Sequence, residues 1–124
     1  MLESYFDYLA YLHLARELAT CDSKCDQLHN AKWRSSISRA YYAAFLHARQ
    51  FQANRAIEHG KLLTWARRQS RQLGQDMWDL KTFREDCDYD KRIAYDLGDK
   101  AQECVDICQD VIDELDRLFG TPLG

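Results

Sequence analysis

The chain has 124 residues, enough for one domain with its own core and too few for two. Hydrophobic residues make up 46%, which excludes the apolar-poor composition of a disordered chain. The net charge of −3 alone does not mark a nucleic-acid binder, but that charge is unevenly spread. Residues 1–26 carry two basic and five acidic side chains, and residues 76–124 carry six basic and fourteen acidic. Between them, residues 27–75 carry nine basic side chains and a single acidic one, Glu58. Two readings follow: an anion or phosphate-backbone site on the middle segment, or mutual neutralisation of basic and acidic helices.

No apolar run approaches the roughly 18 residues of a membrane span. The start, Met1-Leu2-Glu3-Ser4-Tyr5, lacks the basic and apolar regions of a signal peptide, so a cytoplasmic protein is expected. The odd count of five cysteines fits reduced thiols. The only proline is Pro122, so nothing before it forbids long helices.

Taken in chain order, the apolar spacing predicts an all-α fold over residues 1–124, an up-and-down bundle of four to five helices. The first helix is expected from about 3 to 19, with Tyr5, Leu9, Leu12 and Ala19 at helical spacing. A polar break covers Thr20 to Asp26. The second helix, about 28 to 53, has one stripe of Trp33, Ile37, Ala40, Tyr41, Ala44, Ala48 and Phe51. Tyr42, Ala43 and Leu46 form a second apolar side, with Arg39 projecting alongside. A helix apolar on two sides is central or shared with a partner, which predicts a homodimer.

After a connection from Asn54 to Gly60, a third helix is expected at about 61–73, with Gly74 as its stop. A fourth starts near Asp76, and the acidic run from Glu85 to Asp90 is expected to leave it. The last helix, about 96–119, has a seam of Leu97, Ala101, Cys104, Cys108, Val111, Leu115 and Leu118.

Chemistry-bearing residues are few. Cys21/Cys25 and Cys104/Cys108 stand four apart, but the spacing matches no common zinc pattern, so no metal and no cofactor is expected. Arg39, His47 and His59 offer a phosphate fork and acid–base groups suited to RNA, whose 2′-hydroxyl is an internal nucleophile. Read without a ligand, His47 is a partly buried histidine and His59 a cap for the third helix.

The segment Ser38-Arg39-Ala40-Tyr41-Tyr42-Ala43-Ala44-Phe45-Leu46-His47-Ala48-Arg49 resembles the signature helix of HEPN (higher eukaryotes and prokaryotes nucleotide-binding) domains. His59-Gly60-Lys61 resembles the start of that family's next helix. Phe83-Arg84-Glu85-Asp86-Cys87-Asp88-Tyr89-Asp90 resembles its later Leu-Arg-x-x-Ala-Asp-Tyr-Asp element. The resemblance, over about residues 3–119, implies a helical bundle that dimerises. It also implies an RNA- or nucleotide-binding protein, in many members a metal-independent ribonuclease acting as toxin or defence component. Such proteins are often paired with a nucleotidyltransferase.

The implied catalytic residues are Arg84, His47 and Arg39. The implied phosphate-binding set is Arg39, Arg84, Tyr89, His59 and Lys61. The family's catalytic pattern, an Arg followed four to six residues on by a His, is not intact: after Arg84 that region holds Tyr89 and Asp90. Arg39 and His47 are separated by seven residues, and Leu46 stands between Phe45 and His47, which turns the ring by about 100° on a helix. The alternative is a non-catalytic interaction module that binds a protein such as a nucleotidyltransferase.

Overall fold

The computed structural model describes residues 9–20, 26–89, 93 and 95–120. The expected start of the first helix, with Tyr5, Phe6 and Tyr8, lies outside them, as do Cys21, Cys25, Asp90 and Pro122. The described residues form five helices and no strand: α1 (Leu9–Ala19), α2 (Asp26–Arg49), α3 (His59–Gln69), α4 (Arg71–Asp88) and α5 (Leu97–Phe119). This is the all-α bundle the spacing calls for. No helix among the described residues is long and apolar enough to cross a membrane.

α2 is the hub, packed against α1, α4 and α5. Its stripe of Ile37, Ala40, Tyr41, Ala44 and Ala48 is fully buried. α5 meets it with Ala101, Cys104, Val105, Cys108 and Val111, and α4 adds Leu73, Met77 and Leu80. Contact pairs give the directions. Ser36 reaches Ala15 and Arg39 reaches Tyr11, so α1 runs against α2. Arg34 reaches Cys87 and Tyr42 reaches Arg84, so α4 does too. Trp33 lies against Gly98 and His47 against Asp116, so α5 runs with α2. The result is an up-down-up-down frame, with α3 folded back on α4 as an extra helix.

Buried polar groups are paired where the frame depends on them. The Ser36 hydroxyl, fully buried, donates to the Ala15 carbonyl at 2.6 Å. Arg34 Nη1 donates at 3.1 Å to the carbonyl of Cys87, in the last turn of α4, where no amide of the helix remains to fill it. Cys87, Cys104 and Cys108 are buried free thiols, and burial pushes Cys87 up to about 11 and Cys108 up to about 12. No metal-holding cluster occurs among the described residues.

Several expected boundaries move, each for a local reason. α2 ends at Arg49, not near 53, because Gln50, Phe51 and Gln52 donate three residues back, to His47, Ala48 and Arg49, and the coil tightens into turns. α3 begins at His59, two residues early. Glu58 is its extended N-cap, and its carbonyl takes the first helical bond from Leu62 at 2.9 Å.

Gly74 is not a stop. α3 ends at Gln69 because Ser70 is extended (φ −156°, ψ 131°), and α4 starts at once at Arg71. The Ser70 backbone N–H bonds Ala66, and its side chain accepts from Leu73 N at 3.2 Å, so one residue closes α3 and opens α4. Gly74 sits buried in the first turns of α4 because a Cβ there would lie 2.6 Å from Arg67 Cα. The acidic run also stays helical as far as Asp88. Lys81–Glu85 and Arg84–Asp88 are ion pairs one turn apart that hold the last turns of α4.

The second apolar side of α2 is covered mostly inside the chain. Ala43 is 1% exposed, Tyr42 lies under Arg84, and Leu46 is half-buried. Most of that face is therefore covered without a second copy of the chain.

Candidate functional site: an arginine, a histidine and an aromatic cradle

Positions 41, 45 and 49 of α2 stand four apart and share one face, which places Tyr41, Phe45 and Arg49 in a row with Tyr42 beside them. α4 crosses this face with Lys81, Arg84, Glu85 and Asp88. The first residue of α3, His59, closes the third side. A close Tyr41–His59 contact joins the phenol oxygen to His59 Nδ1. The imidazole stacks on Phe45, with ring centroids 3.9 Å apart and an 11° tilt, and stands edge-on to Tyr42. His59 is thus held by its ring, not used as a helix cap.

Arg84 covers the same aromatic platform. Its Cζ lies 5.0 Å from the Tyr41 centroid and 5.5 Å from that of Tyr42, within cation–π range. Nη1 donates to the Tyr42 hydroxyl at 3.4 Å and to Asp88 Oδ2 at 3.0 Å. Nε is buried and has no hydrogen-bond partner among the described residues. The Arg84 side chain is 14% exposed and Asp88 37%, so the guanidinium is sunk in the surface with a wetter carboxylate at its outer edge. Arg49 stands 5.8 Å over Phe45, on the far side of the cradle.

These surroundings set the protonation states. Burial lowers the His59 pKa, and the nearby cations Arg84, Lys81 and Arg49 lower it further against a weaker pull from Glu85. Burial raises the Tyr41 phenol far above its ordinary value, with Arg84 opposing. Tyr41 therefore keeps its proton. With the phenol donating to Nδ1, the neutral imidazole carries its hydrogen on Nε2. The arrangement presents a planar cation, a neutral N–H donor and two further cations around one aromatic floor. That is chemistry for gripping a phosphate. One neutral imidazole is a single proton-transfer group.

A pH prediction follows. Because the folded His59 pKa lies below that of the unfolded chain, unfolded molecules take up the proton first as the pH falls. The His59 contribution is complete above about pH 6.5, the ordinary histidine value, and is lost on acidification toward the lowered folded value. His59→Gln should therefore show a smaller difference in Tm between pH 7.5 and pH 5.5 than the parent chain. Equal differences in thermal melts would contradict the assignment.

Of the other sequence-derived candidates, the structure brings none into this cluster. Arg39 lies over Tyr11 of α1, 5.4 Å from its centroid, with a buried Nε that has no hydrogen-bond partner among the described residues. His47 is buried and hydrogen-bonded through Nε2 to Asp116 of α5 at 2.8 Å, and it stands edge-on to Phe51. Its ring points away from Arg84 because it sits two positions past Phe45, about 200° round the helix. Tyr89 caps the end of α4 and is 68% exposed; Lys61 is exposed on α3. The residues that sequence reasoning passed over are Tyr41, Tyr42, Phe45, Arg49 and Lys81. The signal for the first four was present in the four-residue spacing of aromatics and arginine on α2, but it reads equally well as core.

In comparison with known proteins, no family model, no curated protein and no solved structure matches the chain.

Proposed function

We propose that this is a HEPN-like RNA- or nucleotide-binding protein that holds a phosphate at Arg84, with His59 donating through Nε2 and Arg49 and Lys81 supplying the surrounding positive field. The observation that carries this reading is the Arg84 guanidinium, stacked on two tyrosines with Nη1 turned to a carboxylate at its wetter edge. A guanidinium fixed by packing, whose outer edge already holds a carboxylate, is suited to phosphate in a way a mobile surface lysine is not. The net +8 of residues 27–75 adds a positive field from the side where Arg49 and His59 stand, while Arg84 and Lys81 belong to the acidic last segment. Neutralisation by acidic side chains accounts for Asp88 on Arg84 and Glu85 on Lys81, but leaves Arg49 over Phe45 with no carboxylate partner among the described residues.

The test is fluorescence anisotropy of a labelled 12-nucleotide single-stranded RNA, titrated with the full chain in EDTA at several salt concentrations. The expected result is binding whose affinity falls with salt at a log–log slope of about −2, as for three phosphates on Arg84, Arg49 and Lys81. No salt-dependent binding at micromolar protein would overturn the reading. Products ending in a 2′,3′-cyclic phosphate in the same metal-free buffer would extend it to the ribonuclease activity that the resemblance implies. His59 would then be the group to substitute.

A further inference from the structure

Beside the Arg84 cluster lies a feature that the phosphate reading does not use. α3 and α4 touch closely where Arg67 meets Gly74, then leave an open cleft of about 430 Å³ between their facing surfaces. Its walls carry Arg67, Arg71, Lys81, Thr64, Gln75 and Trp78, and no carboxylate lines it. Arg67 and Arg71 make no ion pair among the described residues. Trp78 is 57% exposed, a large flat ring in water, with Lys81 Nζ 5.6 Å from its centroid. Two local pairs also occupy this surface: Lys81 is paired with Glu85, and the Gln75 amide donates to Asp79.

The cleft is continuous with the cluster. Gly60 lines it and follows His59 in the chain, and Lys81 stands three residues before Arg84. Lys81 is also one of the cations that lower the His59 pKa. The other hollow beside α4 has the opposite character: Asp76, Asp110, Asp113 and Glu114 line it, with Arg117. An anionic chain reaching α4 is therefore drawn to the α3 side.

We infer that the α3–α4 cleft is the track for the adjoining nucleotides of a single-stranded RNA, with a base stacked on Trp78 and the backbone on Arg67 and Arg71. The inference rests on the Arg84 phosphate reading and extends it. Exposed indole beside cations is the pairing that single-stranded nucleic acid uses, since every base has a face to stack and a phosphate to neutralise. A volume of this size falls in the range of about 300–1,000 Å³ for small-ligand pockets, which leaves room for about one nucleotide unit. An acidic peptide would use the arginines but not the ring.

Gly60 gives a variant that separates folding from binding. A Cβ there meets nothing within 4 Å, so a side chain can enter the cleft mouth without disturbing the core. Gly60→Glu also relieves a helix of a glycine and places a carboxylate in the first turn of α3, where it is favoured. Its Tm should rise while the new charge repels RNA.

The experiment compares a 12-nucleotide RNA with adenosine 5′-monophosphate on the full chain and on Trp78→Ala, Arg67→Glu/Arg71→Glu, Gly60→Glu and Arg84→Ala, all checked by thermal melting. Each cleft variant should weaken binding of the 12-mer at least fivefold. Each should leave the monophosphate within twofold, and Arg84→Ala should lose both probes. Unchanged 12-mer binding in all three cleft variants, with Arg84→Ala still losing both probes, would overturn the track and leave the phosphate site standing. Loss of the 12-mer in the cleft variants alone, with Arg84→Ala unaffected, would support the cleft as an RNA site and sink the Arg84 reading. A 12-residue oligoglutamate that competes as well as the RNA would also overturn the track.

Discussion

Arg84→Ala is expected to weaken RNA binding by about ten- to a hundredfold, the scale of one charge-assisted contact of about 1.5–3 kcal/mol. The guanidinium is the centre of the cluster: it lies over Tyr41 and Tyr42, donates to the Tyr42 hydroxyl, and holds Asp88. Alanine removes the fork and uncovers both rings. Arg84→Lys should recover little, because an ammonium cannot lie flat over two rings and present parallel N–H groups. The fold should survive, since Ile37, Ala40, Ala44 and Ala48 of the buried stripe are packed apart from Arg84, so binding measured well below Tm reports the site.

The counter-variant is Asp88→Asn. Asp88 is the anion already resting on Arg84, at 3.0 Å and partly exposed, so an incoming phosphate must compete with it. Removing its charge should tighten RNA binding while Arg84→Ala loosens it. Unchanged binding in both, or loss in both, in side-by-side anisotropy titrations would show that Arg84 does not meet the phosphate.

The second large effect is on stability. Glycine-to-alanine changes inside helices ordinarily stabilise by up to about 1 kcal/mol. Gly74→Ala should do the reverse. Its methyl would stand 2.6 Å from Arg67 Cα, 2.7 Å from Arg67 Cβ and 3.0 Å from Arg67 N, and two of those atoms are backbone that no rotamer change can move. α3 must shift away, at an overpacking cost of about 1–3 kcal/mol that outweighs the propensity gain. The expected result is a Tm lower by about 5 °C, by differential scanning calorimetry or circular dichroism. A higher Tm would mean that the two helices do not meet there.

That same glycine shows where the sequence stops being legible. The stripes of α2 and α5 are readable because every fourth or third residue is apolar and every one of those positions is buried in the structure, from Ile37 to Ala48 and from Ala101 to Leu115. Gly74 reads as a stop because a glycine just after the last apolar residue of a helical pattern, here Leu73, is most often a cap. Its actual role, close approach to Arg67, is a tertiary distance with no sequence period. The α3–α4 boundary was hidden for a related reason: an extended serine between two helical stretches leaves almost no gap in the pattern.

The site was half legible. Arg84 and His59 could be picked out as residue types, but not as neighbours, because 25 positions separate them and the link runs through Tyr41. Tyr41 is fully buried and fits the core stripe, which conceals the hydroxyl that holds the imidazole. His47 misled in the other direction. It follows the aromatic run closely, yet its place on the helix aims it at Asp116.

Ser70 has a mechanical consequence. With one residue serving as the end of α3 and the start of α4, the joint has no spare length to flex, and Gly74 against Arg67 braces it from inside. Arg67 and Arg71 stand on opposite sides of that joint, so they move as parts of one rigid elbow. A ligand entering between them meets two helix backbones already fixed relative to one another, so association has only the exposed arginine side chains left to order.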